Sequence, residues 1–388
     1  MVDPSTHIDY FTAVQALAKL YRAGVPVSSI TPAKVGATAQ YWPDILQANA
    51  NGYAAPGFCG APNVSTALQA AYNLFSCFAN NETTALQFLD QGIGLADPAT
   101  GKPIYAKGGP YTFVDPQFAA LYAWRSMSAA AYNALQVNLQ KHMSHGLQFD
   151  LNYTYSKSMD ISSDANRIGA EGGLSGLVIN PWNPKSLRAV SDFDLTHQIN
   201  ANWIAELPFG RGRWVGKNAH GLSEALIGGW QLSGLARWTS GFPISVSNGS
   251  EWPTNWELNG FGQRIASVQT HGAVKNPDGT VSIFEGAAAT TAAFNAFSPD
   301  LPGQVGNRNS LRGDGFAGLD LGLTKRWKMP WKESHTFQFR WDVFNALNLT
   351  RFDVQSLGLS LTNQSNFGNY TGLLTNPRVM QFTLRYEF

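Results

Sequence analysis

The sequence predicts an all-β membrane protein built from about seven antiparallel strands of a large transmembrane β-barrel. Three observations predict it. Segments of alternating apolar and polar residues recur along the last two thirds of the chain, short and long links alternate between them, and aromatic residues gather near the segment ends. A strand of this kind presents one face to lipid and the other to a lumen. A soluble sandwich shows the same alternation, but it has no reason to sort aromatic residues by height.

The composition fits this class. Charged residues make up only 14% of the 388 residues, and aromatic residues make up 12%, whereas soluble domains carry about 25% charged residues. The net charge of +1 provides no basic field for nucleic acid. No run approaches the roughly 18 apolar residues of a membrane helix, so a span here must be a strand.

The first region, residues 1–129, has a helical period instead. Apolar residues at helical spacing predict helices over 6–24, 65–78 and 81–89. We expect this region to be a partly helical, extracellular, loop-like cap. Its two cysteines, Cys59 and Cys77, flank one short segment, which leaves open either a disulfide or two unrelated thiols.

The second region, residues 130–388, carries the alternation. The seven segments are 135–139, 147–155, 195–203, 230–238, 319–323, 337–343 and 380–388. The links 145–146 and 330–334 are short and 208–228 is intermediate, whereas 160–188, 242–313 and 349–376 are long. Short periplasmic turns and long external loops are typical of membrane barrels. Seven strands cannot close a wide barrel, so the sequence predicts an open, curved sheet with a cap over its external end.

Aromatic residues fall into two groups along these segments. Trp203, Trp230 and Trp327 lie at the predicted periplasmic ends, and Tyr155 and Trp238 lie near the predicted external ends. Amphipathic rings settle at headgroup depth, so two such girdles favour a bilayer.

Five stretches resemble a known family. They are YNALQVNLQKHMSHGLQFDLNYTYSKSMD at 132–160, SDFDLTHQINANWIAELPFGRG at 191–212, GGWQLSGLARWTSGFPISVSNG at 228–249, RGDGFAGLDLGLTKRWKMPWKESHTFQFRWDVFNALNLTRF at 312–352 and NPRVMQFTLRYEF at 376–388. Together they resemble the C-terminal barrel of TonB-dependent transporters, and most of all the acidobacterial type with a carboxypeptidase-regulatory-like domain. The resemblance implies a barrel of about 22 strands with a plugged lumen. Leu384, Tyr386 and Phe388, at alternate positions, resemble the signal read by the barrel-assembly machinery.

The resemblance also carries expectations about function. It implies a receptor in the outer membrane of a Gram-negative bacterium that takes up an unidentified ligand, such as a siderophore or a carbohydrate. Expected partners are outer-membrane lipid, the barrel-assembly machinery, the ligand and, only through a plug domain, the TonB complex. The sequence shows no signal peptide, plug or energy-coupling box. We therefore expect a fragment or a mis-started gene that does not transport by itself. The alternative is a surface or adhesion protein anchored by a barrel.

Candidate ligand contacts are the loop aromatics Tyr41, Trp42, Trp252, Trp256 and Phe261, which would stack on a ligand or form small cores of their own. Seven further residues have metal-ligand chemistry, but we favour ordinary interfacial histidines and loop-edge carboxylates over a metal or calcium site; they are His142, His145, His197, Asp160, Asp164, Asp192 and Asp194. No catalytic motif is present. The sequence thus predicts neither an enzyme nor a cofactor.

Overall fold

The computed structural model describes residues 2–46, 64–91, 126–163, 180, 183–248, 260–329 and 331–388. The described residues of the first region form five helices: α1 (Tyr10–Arg22), α2 (Pro32–Val35), α3 (Tyr41–Leu46), α4 (Ala67–Phe78) and α5 (Glu82–Gln91). Short 3-10 turns lie at Val27–Ser29, Gly36–Thr38, Ala79–Asn81, Pro184–Leu187, Val354–Ser356 and Gln364–Asn366. None of the helices among the described residues is long and apolar enough to span a bilayer.

Helices α1 and α4 form because each has a capping residue at its start and an apolar face. The Asp9 carboxylate accepts a hydrogen bond from the Thr12 backbone N–H, 3.0 Å away. With this cap α1 begins at Tyr10, four residues after the predicted start at Thr6. The Thr66 hydroxyl caps α4 in the same way through Gln69 N. Their apolar faces meet in one core, in which Leu17, Leu74 and Phe75 are fully buried.

Seven long strands make the main sheet: β1 (Ala131–Ser144), β2 (Leu147–Asp160), β3 (His197–Glu206), β4 (Trp230–Thr239), β5 (Phe316–Met329), β6 (Lys332–Phe344) and β7 (Val379–Glu387). Each pairs antiparallel with its neighbour in sequence, so the sheet is a meander. The two-residue strand Ala189–Val190 also pairs with the end of β2. In the described part of the chain β1 and β7 each have one long-strand neighbour, which confirms the predicted open sheet.

Three connections lie at one end of the strands, and one of the two tightest follows from its backbone conformation. His145 and Gly146 both have positive φ, 54° and 74°, as a two-residue hairpin turn requires. The turn after β5 is shorter than the predicted 330–334 link because β6 already begins at Lys332. Between β3 and β4 lies a helix that the sequence did not predict, α6 (Leu222–Ile227). These three connections all lie at the same end of the strands, which is the short-turn end of the sheet.

At the opposite end of the strands, the long-loop end, the links contain secondary structure of their own. Helix α7 (Gly286–Phe294) and two-residue strands lie in the long link after β4. The short strands are Pro243–Ile244, Gln263–Arg264, Val274–Lys275, Val281–Ser282, Phe297–Ser298 and Leu311–Arg312. This link shares a second apolar core with the link before β7, where the Phe284 and Phe367 rings stack 5.8 Å apart.

Candidate functional site

The sheet has one continuous apolar face, set by the cross-strand register. Leu139 lies opposite Leu151, Leu151 opposite Ala201, Ala201 opposite Ala236, and Ala236 opposite Leu319. The same face continues through Leu323, Trp341 and Phe382 on the last three strands. Because a slip by one residue would move a whole strand to the other face, this register is specified by the alternation in the sequence.

Aromatic residues bound this apolar face at both ends. At the long-loop end, Tyr153 donates or accepts a 2.9 Å hydrogen bond with His197 Nδ1, and the His197 ring lies 5.2 Å from Tyr155 and 6.3 Å from Trp238. At the short-turn end, Trp327 lies opposite Phe337, and Phe337 opposite Tyr386. The predicted sorting of aromatic residues by height is present in the register.

The other face is polar, and its side chains pair with one another both between neighbouring strands and within one strand. Asn138 donates to Asp150 Oδ1 at 3.1 Å and to Asn152 Oδ1 at 2.5 Å. Arg340 pairs with Asp342 at 2.8 Å, and Arg385 with Glu387 at 3.1 Å. Uncharged amides and paired charges line this face, which suits a water-filled or plugged lumen.

A cavity of about 490 Å³ opens on the polar face at the long-loop end. Its lining combines apolar residues with one cation and one carboxylate: Leu235, Arg237, Phe316, Asp320, Phe344 and Val379. The Arg237 guanidinium lies 5.8 Å from the centre of the Phe316 ring, which holds its charge over an aromatic face. Apolar walls with few polar groups are typical of small-ligand sites.

A comparison with protein-family models matches residues 36–381 to the outer membrane beta barrel domain. The chain belongs to this family. It is therefore an outer-membrane β-barrel protein of a Gram-negative bacterium, and in such barrels the short turns lie in the periplasm and the long loops outside. No curated protein and no solved structure matches the chain.

Of the five aromatic residues predicted to contact a ligand, three lie among the described residues. Tyr41 and Trp42 are 0% exposed, and their rings meet edge to face at 5.2 Å inside the helical core. They are core residues, which is the second of the two alternatives that the sequence left open, and they offer no surface for a ligand. Phe261 is half-buried in the long link after β4, and Trp252 and Trp256 lie outside the described residues.

The carboxylates weighed as calcium ligands are neutralised by arginine instead. Arg308 pairs with Asp160, and both side chains are buried, at 7% and 5% exposure. Arg312 pairs with Asp194, whose other oxygen accepts from Ser158 N at 2.6 Å. Asn309 Nδ2 donates to Asp192 Oδ1 at 2.6 Å; Asp164 lies outside the described residues. These contacts fasten the link before β5 to the ends of β2 and β3, a structural role that sequence spacing gave no sign of.

The predicted histidines do not come together. His142 and His145 lie at the short-turn end, and His197 lies at the long-loop end among the aromatic residues. Among the described residues, no group of three or more His, Cys, Asp or Glu side chains could hold a metal ion. Cys77 lies near the end of α4 and is disulfide-bonded, whereas Cys59 lies outside the described residues.

The C-terminal residues lie on the apolar face of the edge strand β7. Leu384 and Tyr386 are exposed, and Phe388 is 91% exposed. The Tyr386 hydroxyl contacts His335 Nδ1 at 2.5 Å. An accessible apolar stripe at an unpaired edge is the geometry that a signal read by an assembly factor needs, and that role stays a prediction.

Proposed function

We propose that the chain forms part of the wall of a TonB-dependent outer-membrane receptor that takes up a small ligand. One observation carries the proposal: seven long strands with one apolar and one polar face leave both edge strands, β1 and β7, without a second long-strand neighbour in the described part of the chain. Unpaired backbone groups are untenable in lipid, so further strands must complete this wall. A completed wall then encloses a lumen wider than seven strands allow.

The polar face supplies what an uptake path needs. Its amides and paired charges suit a plug or a passing ligand, and the cavity around Arg237 and Phe316 opens towards the external end. A guanidinium held over an aromatic ring suits an anionic or hydroxyl-rich ligand, a chemistry shared by iron chelates and carbohydrates. We propose no enzymatic activity for the chain.

Surface adhesion is the second candidate, and the folded external loops favour it. Two separate apolar cores shape the outside of the protein, one around Leu17 and Phe75 and the other around Phe284 and Phe367. Rigid external surfaces of this kind suit contact with another surface as well as capture of a ligand.

Uptake by the bacterium that carries the gene distinguishes the two functions. A deletion strain would be tested with labelled ferric siderophores and oligosaccharides, with and without an uncoupler of the proton-motive force. We expect energy-dependent uptake of one ligand class to be lost, and Arg237→Ala to lower it more than Arg326→Ala, a polar-face control at the short-turn end. Unchanged uptake of every ligand, with reduced attachment to surfaces, would replace the receptor by the adhesin.

A further inference from the structure

The periplasmic link between β3 and β4 contains a helix that is too short to be stable alone. Helix α6 has six residues, whereas isolated helices need roughly 12–15 residues to be even marginal in water. The chain before it folds back on itself through a bridge between Phe209 and Val215. Something outside the helix must therefore hold it in place.

The apolar face of the sheet holds it. Trp230 Nε1 donates to Leu226 O at 2.9 Å, and Trp327 Nε1 donates to Ala225 O at 2.7 Å. Lys325 Nζ donates to Gly228 O, just beyond the helix. These three side chains all belong to the apolar face, and they occupy carbonyls that a helix end leaves unpaired. Helix α6 is thus fixed on the lipid side of the periplasmic rim.

Lys325 is an unusual residue for this face. It lies among apolar neighbours and is only 2% exposed, yet its Nζ lies 5.3 Å from the ring centres of both Trp230 and Trp327. Cation–π contacts and a carbonyl satisfy the ammonium there. The aromatic residues Trp230 and Trp327 therefore have two roles: they bind α6, and they mark the end of the apolar face.

The outer side of the same link is apolar and uncovered. Trp214 is 89% exposed, Leu222 80% and Leu226 63%. Leu222 and Leu226 are four residues apart and so share one face of α6. Trp331, in the neighbouring turn between β5 and β6, is also exposed. This surface continues the apolar face of the sheet at the depth where a bilayer has its headgroups.

The charge of this rim is positive. Segments 206–228 and 325–335 contain seven lysine and arginine residues against three glutamates, and of the seven, Arg326 and Lys328 lie on the polar face. Glu206 is already paired with Arg213 at 2.6 Å, and Glu224 accepts from Arg211 N at 2.5 Å. Lys217 lies in the same link as Trp214, and Lys332 follows Trp331 directly at the start of β6. Exposed apolar residues interleaved with basic ones are the pattern of an interfacial anchor that prefers anionic lipid.

We propose that this rim, defined by Trp214, Lys217, Leu222, Leu226 and Trp331, binds anionic phospholipid of the periplasmic leaflet. The leucine and tryptophan side chains enter the acyl boundary, and the basic residues meet the phosphates. Such an anchor fixes the depth of the wall between β3 and β6. Lipid binding here follows from outer-membrane location alone and does not depend on ligand uptake.

The test measures the phospholipid that stays with the full-length protein after gentle detergent extraction from bilayers of phosphatidylethanolamine with added phosphatidylglycerol. Native mass spectrometry counts each lipid. Charge reversal by Arg211→Glu with Lys217→Glu should lower retained phosphatidylglycerol at least about fivefold, since each basic residue at an anionic surface contributes about that factor. Leu222→Ser with Leu226→Ser should lower retention of both lipids.

Matched controls make the outcomes decisive. Lys185→Glu reverses an exposed charge at the external end and should leave phosphatidylglycerol retention unchanged. Heat-modified migration in gels reports whether each variant forms a folded barrel, and Lys217→Gln serves where the double reversal does not fold. Retention that is unchanged in the folded rim variants, or equally reduced by Lys185→Glu, would overturn the site.

Discussion

Replacing Asp300 with asparagine should stabilise the external loops at neutral pH. The Asp300 side chain is fully buried, and neither carboxylate oxygen has a hydrogen-bond partner of ordinary geometry among the described residues. Burial raises its pKa from 3.8 to about 8, although the nearby Asn248 amide and the Arg22 charge act in the opposite direction. A buried carboxyl without partners favours its neutral form.

The sign and size of the effect follow from that pKa. Below about pH 4 the carboxyl is protonated whether the loop is closed or open. Between about pH 4 and pH 8 the open state ionises first, so closure loses stability as the pH rises, and above pH 8 the penalty is constant. At pH 7 the gap of about three pH units, at 1.36 kcal/mol each, sets an upper limit of about 4 kcal/mol.

Hydrogen–deuterium exchange of the backbone at 299–306 measures this opening. Arg22 donates to the backbone oxygens of Pro299 and Asp300 at 2.9 and 2.7 Å, so opening here also frees α1. After correction for intrinsic exchange, wild-type protection should fall from about pH 5 to about pH 8, and Asp300→Asn should abolish that fall. Asp278→Asn, an exposed change in the same link, is the control. Parallel pH profiles for wild type and Asp300→Asn would refute the reasoning.

Three further predictions concern packing and pairing. Arg308→Met should destabilise the packing of the link before β5 by about 3–5 kcal/mol, because it leaves the buried Asp160 carboxylate without its counter-charge. Limited proteolysis would show faster cleavage of this link in the variant. Adding Asp160→Leu should restore resistance to the protease. Trp42→Ala should destabilise the helical region by about 3–5 kcal/mol in thermal unfolding, and Trp42→Phe by less, whereas a ligand-contact role would leave stability unchanged. Phe388→Ala should lower the fraction of chains folded in the outer membrane without changing β6–β7 pairing, since the side chain is 91% exposed; equal surface amounts would argue against an assembly signal.

The strands could be predicted because one physical requirement sets their sequence. A wall with lipid on one side and a polar lumen on the other demands strict alternation, and positions such as Leu151 and Leu323 keep to it from one end of a strand to the other. The register then follows from matching the apolar faces. The open sheet followed from the small number of strands.

The loops could not be predicted in the same way. The core around Phe284 and Phe367 uses apolar residues with no fixed period, because a compact loop surrounds its core from many directions. Tyr41 and Trp42 join the helical core from outside the segments that show a helical period. An aromatic residue in a loop therefore has the same sequence signature whether it faces a ligand or a core. Helix α6 could not be predicted because its stability comes from contacts with Trp230, Lys325 and Trp327 on the strands. Lys325 and Trp327 lie about 100 residues after the helix in the chain.

The cavity near Arg237 was also beyond the sequence. Arg237 and Phe316 come from different strands and meet only through the β4–β5 register. Alternation showed that Arg237 points to the polar face, but not that Leu235, Phe344 and Val379 would gather around it on that face. Apolar residues out of phase with the alternation are the signal that could have located the cavity.

The meander and the cap place opposite demands on the order of folding. The β1–β2 and β5–β6 hairpins join their strands through two-residue turns, so their contacts close short loops and can form as the chain emerges. The cap depends on partners far apart, since Gln15 Nε2 reaches Pro302 O at 2.7 Å across 287 positions and Arg22 reaches Asp300 O across 278. Helix α1 can pack against α4 without this link, but its contacts with Asp300 and Pro302 must wait for the link between β4 and β5. Attachment of the helical region to this link is therefore a late step of folding.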